Sequence, residues 1–349
     1  MILHQILLQI IDKFHQERTI SAGFHLLKGK RSGQTIQDVG IFQLYHYFGI
    51  LPKISREKYD AHIQSLTEAG YIRVFDDGYY ELTATGKEAA QQHFPYKFDG
   101  WHYRGNEHVF FARLSLVVQS LSYQQHRKSA FIPIQRNEAI QHWVKQFLLA
   151  NDYSSRTLQK RLYDEMTASL QALPLEDDLK MLLLQRLAGY KQPGATWQQL
   201  AIAHRCSEMD VQLQYVYTLH TWLNTLFVQV TTYPLLAAMM TGVRVEQPLT
   251  GSTQQTADLY EQGYTMEQIS QMRRLKMSTI EDHIVEMAMQ QTQFDLRPFV
   301  SVEDERAIYD MMEAYDTKKL KILKEALPHL TYFQIRLVVA RGGKSNDTT

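Results

Sequence analysis

The chain has 349 residues, 44% hydrophobic and 21% charged. That is enough apolar material for packed cores, too little charge for a disordered chain, and a length that suggests two to three domains. Lys plus Arg (37) balance Asp plus Glu (37), so the protein as a whole is no polycation and any nucleic-acid surface must be a local patch. The single cysteine, Cys206, excludes an internal disulfide and a cysteine-built metal site, and fits a reducing compartment.

At the N-terminus, apolar residues at positions 3, 6, 7, 10, 11 and 14 fall on one helical face. No basic segment precedes them, and His4, Gln5 and Gln9 interrupt the run, so it reads as a packed first helix and not a signal peptide. Residues 1–48 read as helix, helix, loop, helix. The loop runs from Lys28 to Gly33, and Thr35 is placed to cap the helix that follows. Residues 49–94 give the clearest local pattern. Ser55 caps a helix through Glu68 with Tyr59, Ile63 and Leu66 inward, and Gly70 ends it. Residues 71–75 alternate like a strand, Asp76-Asp77-Gly78 turns, 79–82 return, and a second helix opens after Leu82. Helix, hairpin and helix in that order predict a winged helix-turn-helix.

Residues 95–106, aromatic and turn-rich, read as a connector. The stretch 107–245 reads as a central helical domain, with helices near 107–128, 135–150, 155–172, 176–189, 196–205, 208–229 and 233–240. The apolar run from Leu226 to Met240 is broken by Gln229, Thr231, Thr232 and Pro234 and is too short for a bilayer, so no membrane contact and a cytoplasmic protein are expected. Gly242, Pro248 and Gly251 mark a boundary, and residues 253–341 read as a helix-turn-helix followed by two more short helices. Residues 342–349 are a polar tail expected to be disordered. An internal echo links Thr196–Gln199 and Ser207–Asp210 with Thr265–Gln268 and Ser278–Glu281. Each tetrapeptide fits a capping box, in which a hydroxyl and a side-chain acceptor satisfy free amides at a helix start. The fold class is therefore mainly α, with an N-terminal winged helix-turn-helix carrying a small β-hairpin, a central helical domain and a C-terminal helix-turn-helix domain.

The segment from Thr256 to Ser270, then Ser278 to Ile284, resembles the helix-turn-helix domain found at the C-terminus of RecQ-type DNA helicases; Asp316–Pro328 and Leu330–Leu337 agree with its later half. Elsewhere the chain is similar to the YpbB-like family of Gram-positive bacteria, through Arg18–Ala22, Gly29–Asp38 and Tyr47–Gly49. Members of that family are typically encoded beside a RecQ-type helicase, so the resemblance implies a link to helicase-dependent DNA metabolism without a mechanism. It points to a non-catalytic accessory factor that partners a RecQ-type helicase and DNA in repair or recombination.

Gly23 to Ser32 fails as a phosphate-binding loop: five residues separate the glycines where four are needed, and Arg31 stands at the Ser/Thr position. The alternatives left for this loop are a basic phosphate or acidic-partner site (Lys28, Lys30 and Arg31, with Ser32, Thr35 and the Gly33 amide) or a solvated loop. Arg56 and Lys58 lie where groove-reading side chains sit on a recognition helix, but the acidic wing tip opposes phosphate, so a protein-interaction role is preferred. The helix after Ser278 begins with Glu281 and Asp282, which repel a duplex, while Arg273, Arg274 and Lys276 in the turn remain candidates for backbone contact. Lys318, Lys319, Lys321 and Lys324 form a basic run, with Arg336, Arg341 and Lys344 beyond it. Tyr332 and Phe333 lie nearby and are assigned to the core. Cations with aromatics suit single-stranded nucleic acid. No catalytic motif, metal-ligand spacing or cofactor site is recognised. The rival to the accessory factor is a dimeric helix-turn-helix transcription regulator with Arg56 and Lys58 in the groove.

Overall fold

The computed structural model describes residues 1–128, 130–154, 156–245, 249–291 and 293–342. Among them one sheet forms, a two-stranded antiparallel one, and the remaining regular structure is helical. The chain divides into two compact units. One is Met1–Gln5 with His93–Val245; the other is Ile6–Gln92 with the segment from 246 onward. Sequence reasoning separated the N-terminal winged helix from the C-terminal helix-turn-helix. The structure groups those two segments in one compact unit.

In chain order, α1 (Ile2–Phe14) buries all six of its patterned apolar positions. Next come α2 (Ile20–Lys28) and α3 (Gly33–Ile41). Ser32, not Thr35, caps α3: its hydroxyl faces the Thr35 amide and lies 2.9 Å from the Thr35 hydroxyl. Thr35 is the third residue of the helix, too deep to cap it, and every residue from there to Ile41 is buried. After α4 (Arg56–Glu68), capped by Ser55, the wing forms from β1 (Ile72–Val74) and β2 (Tyr80–Leu82), with Ile72 opposite Leu82 and Val74 opposite Tyr80. Gly78, at φ 80°, supplies the left-handed residue this turn requires. α5 (Ala84–Ala90) follows, capped by Thr83.

The unit that begins at His93 contains α6 (Gly100–Tyr103), α7 (Glu107–Gln125), α8 (Glu138–Ala150), α9 (Arg156–Gln171), α10 (Asp177–Gln185), α11 (Trp197–Ala203), α12 (Glu208–Val228) and α13 (Pro234–Met239). Residues 95–106 are not a loose connector: Phe98, Trp101 and Tyr103 are buried, because three large rings gain more by joining a core than by remaining solvated. The core of this unit centres on Trp222, whose indole donates to Ser169 Oγ (2.9 Å). Thr196 makes the full capping box at α11. At α12 only half of one forms, since the Asp210 carboxylate accepts from the Ile2 amide (2.7 Å).

The C-terminal part of the other unit comprises α14 (Gly251–Glu261), α15 (Met266–Arg273), α16 (Met277–Gln290), α17 (Val302–Ala314), α18 (Leu320–Ala326) and α19 (Tyr332–Gly342). Thr265 makes the expected box at α15. Ser278 does not cap: Arg274 ends α15 in the left-handed region (φ 53°), and α16 begins at Met277, two residues before a cap at Ser278 would start it. Among the described residues three helices, not two, follow the helix-turn-helix, since α17 precedes the two expected. Residues 343–349, with Lys344, lie outside the described residues.

α16 is the hub of this unit. It packs against α14, α15, α19 and α3, and every residue from His283 to Met289 is buried. At Gly40 of α3 the contact with Met289 is so close that a Cβ would lie 2.5 Å from Met289 Cγ.

Candidate nucleic-acid interface

The helix-turn-helix formed by α15 and α16 does not offer its second helix to a duplex. Asp282, at the start of α16, accepts from Arg336 Nη1 of α19 (2.7 Å) and Gln37 Nε2 of α3 (3.0 Å), and Glu281 pairs with the same arginine. A Cβ on Gly33 would meet Asp282 Oδ2 at 2.8 Å. The carboxylate therefore sits at the N-terminus of α3, where the helix dipole favours negative charge. This fills the helix-end part of the phosphate site considered for the Lys28–Gly33 loop: the Gly33 side already has an anion, and Ser32 and Thr35 are paired with each other, which leaves the exposed cations Lys28, Lys30 and Arg31.

Deeper in α16, Glu286 accepts from the hydroxyls of Thr250 (3.2 Å) and Thr253 (2.6 Å), closing α14 onto the hub. His283 bonds the Thr256 hydroxyl at 2.8 Å. Burial, reinforced by the nearby Arg273 guanidinium, lowers its pKa to about 4. Arg273 itself donates to the Ser252 carbonyl (2.7 Å), to the hydroxyls of Thr256 and Ser252, and to Gln255. It ties α15 to α14 and is not displayed for DNA.

The other candidate cations divide in the same way. Lys318 donates to the Ile41 carbonyl (2.7 Å), and burial lowers its pKa against the pull of Glu17. Lys324 donates to the carbonyls of Pro328 and Leu330 beyond the end of α18, which orphan acceptors there require. Arg341 donates to the Phe294 carbonyl (2.7 Å). Their positive ends satisfy backbone oxygens, something spacing alone did not reveal. By contrast, Arg274 and Lys276 are exposed, and the ammonium groups of Lys319 and Lys321 have no hydrogen-bond or ion-pair partner among the described residues.

A second positive cluster forms where α2 ends and α4 begins. Lys28 Nζ and Arg56 Cζ lie 5.4 and 5.5 Å from the centroid of the Phe24 ring. Burial and then the charges of Lys30, Arg56 and Lys28 lower the pKa of His25. Arg31 and Lys58 are exposed. Arg56 is held by Asp60 (2.8 Å) and Ser21 (2.9 Å), so part of its charge is cancelled. The exposed surface of α4 also carries Glu57 and Glu68, and the wing tip carries Asp76 and Asp77. This surface is mixed in charge, unlike a phosphate-gripping one.

The sequence assigned both Tyr332 and Phe333 to the core. Phe333 does pack edge-on against Phe299 (5.6 Å), but Tyr332 is 51% exposed. It shares a groove with Lys319 and Lys321 and with two wing rings that sequence reasoning passed over, Phe75 and Tyr79. Phe75 and Tyr79 flank the wing turn, where the Phe75 amide donates to the Tyr79 carbonyl (2.9 Å) and both rings remain exposed.

These features define a helix-turn-helix protein, and residues 252–339 match the helix-turn-helix domain family. The chain belongs to the YpbB family: it is 32% identical over 349 residues to protein YpbB of Bacillus subtilis (strain 168), covering 98% of each chain. No solved structure matches it. Among the described residues no helix is long and apolar enough to cross a membrane.

Proposed function

We propose that this protein is a non-catalytic accessory factor of a RecQ-type DNA helicase, acting in DNA repair or recombination and touching DNA without reading its sequence. The observation that carries this reading is the pairing of the acidic residues of α16: Asp282 and Glu281 are both engaged by Arg336, which supports a packing role for the helix-turn-helix over a groove-reading one. That favours docking and backbone contact over a dimeric regulator, which needs a recognition helix in the major groove. The resemblance of residues 253–341 to a module of RecQ-type helicases supports the choice of partner: the chain would supply in trans what other helicases carry in cis. The central helical unit and the free surface of α4 would meet the helicase. Exposed cations such as Lys30, Arg31, Arg274 and Lys276 would meet phosphates.

The test is affinity purification of the tagged protein from a cell that contains the helicase, after nuclease treatment to remove DNA bridges. Stoichiometric recovery of the helicase is expected; its absence overturns the reading. A preference of ~10³-fold for one duplex over random DNA would favour a regulator instead.

A further inference from the structure

We propose that the groove between the wing and the start of α18 is a binding site for single-stranded DNA, in which rings stack on bases and two lysines hold the backbone. It rests only on the DNA-contact part of the reading above and not on the helicase.

The groove has a volume of about 780 Å³. Phe75 and Tyr79, on the wing, are 41% and 37% exposed, and Tyr332, at the start of α19, is 51% exposed. Three large rings left in water on two separate elements, converging on one concavity, form a surface built to be covered. Lys319 and Lys321 stand beside them, their ammonium groups without a partner among the described residues. The other charges lining the groove make bonds within the fold. Arg18 pairs with Asp38 (2.8 Å), and Glu17 accepts from the Thr317 hydroxyl and the Lys318 amide. Asp77 Oδ1 accepts from the Tyr79 amide at the wing turn (3.0 Å).

This arrangement selects the occupant. A base offers a flat face to a ring only when it is not stacked inside a duplex, and free cations beside such rings track the phosphates of a single strand. A duplex would meet the lysines but leave the rings unused. The acidic wing tip, a defect in a phosphate-gripping wing, is compatible here. The strand lies with its phosphates toward Lys319 and Lys321 and its bases toward Phe75 and Tyr79, so Asp77 faces bases and not phosphates. An acidic peptide would satisfy the lysines but has no use for three rings.

The full chain is titrated against fluorescein-labelled oligo-dT of about 16 nucleotides and against a duplex of equal length, by fluorescence anisotropy. Phe75→Ala, Tyr79→Ala and Tyr332→Ala are each expected to weaken single-strand binding about tenfold, with duplex binding unchanged. Tyr79→Phe and Tyr332→Phe keep the ring and should retain affinity. Replacing Lys319 and Lys321 together by Gln should lower the salt slope for the single strand by about one to two. Melting temperatures within a degree or so of the parent's, on the order of the method's scatter, would show that these surface variants fold. Ring variants that bind oligo-dT like the parent overturn the proposal, as does equal affinity and equal ring dependence for the duplex, or tighter binding of an acidic peptide than of oligo-dT. The two readings fail separately. Loss of oligo-dT binding in the ring variants without helicase recovery upholds the groove and removes the helicase. Helicase recovery with indifferent ring variants does the reverse.

Discussion

Gly40→Ala tests the shared core of the N-terminal and C-terminal segments. In an isolated helix this change is favourable by ~1 kcal/mol, since alanine loses less backbone entropy than glycine. Here the new methyl would lie 2.5 Å from Met289 Cγ, and closer still to its sulfur, where carbon atoms normally rest ~3.5–4.0 Å apart. Met289 is fully buried, so it has no free side to move toward. Overpacking of this kind costs ~1–3 kcal/mol, and a displacement beyond 1 Å belongs at the upper end; the net effect is a loss of about 2 kcal/mol. Met289→Ala alone should cost about 3 kcal/mol through lost burial and the cavity left behind. In the double variant the alanine methyl enters the emptied space, so the two losses do not add, and the coupling should reach about 2 kcal/mol. All four tryptophans (Trp101, Trp143, Trp197 and Trp222) lie in the other unit. Indole fluorescence is therefore blind to this core, and urea unfolding must be followed by far-UV circular dichroism together with hydrogen exchange of α3 and α16. If Gly40→Ala stabilises the protein by the amount helix propensity alone predicts, α3 does not cross α16 at this point.

Arg273→Ala should reduce stability by about 2 kcal/mol, because its several acceptors on α14 lose a charged donor; a change in DNA affinity with no change in urea midpoint would return this arginine to the interface. His283 is neutral in the fold, with a pKa near 4 against 6.5 unfolded. Its stabilising contribution is therefore complete above pH 6.5, declines as pH falls toward 4, and is absent below. With solvent screening the loss amounts to about 2 kcal/mol. His283→Gln should flatten the melting temperature between pH 6.5 and 4, and an unaltered acid decline in that variant would locate the effect elsewhere. The basic run divides in two. Lys318→Ala and Lys324→Ala should lower the melting temperature and leave the salt slope of DNA binding alone, whereas Lys319→Ala and Lys321→Ala should each reduce that slope by about 0.7 to 0.9 without destabilising the protein. A slope that drops with Lys318→Ala would contradict the bond from that lysine to Ile41.

Local structure was legible where one element carries its own instructions. The capping boxes at Thr196 and Thr265, the hairpin register and the apolar stripe of α1 are decided within a few residues of sequence. α17 was legible too but passed over: Ser301 caps it, and Glu303, Asp304 and Glu305 fill its first turn. What sequence could not show depends on residues far apart. Asp282 looked like a repulsive residue on a recognition helix, because nothing near it in sequence says that Arg336 and Gln37 cover it. Lys318 looked like a phosphate contact until folding brought the Ile41 carbonyl beside it. The groove was invisible for the same reason, since its rings come from opposite ends of the chain.

The helix-turn-helix match ends at residue 339, yet the body those residues build includes α3 from the other end of the chain. Asp282, Val285 and Met289 fall on one stripe of α16 by their spacing. The first and last of them meet Gln37 and Gly40 of α3, and Val285 is fully buried. A fragment of residues 249–342 would uncover that stripe and lose about 2–4 kcal/mol of burial, a large share of the stability of a domain this small. It should therefore melt with low cooperativity or self-associate through the bare face. Residues 6–92 added as a separate fragment should restore a sharp transition, read by circular dichroism and by the sedimentation of the mixture. If the fragment alone melts as sharply as the full chain, α3 is an accessory cover, and the helix-turn-helix stands as a free domain with α16 open to another partner on that side. If it does not, any partner of this module meets a surface built from both ends of the chain, and variants in α3 will disturb its binding as strongly as variants in α16.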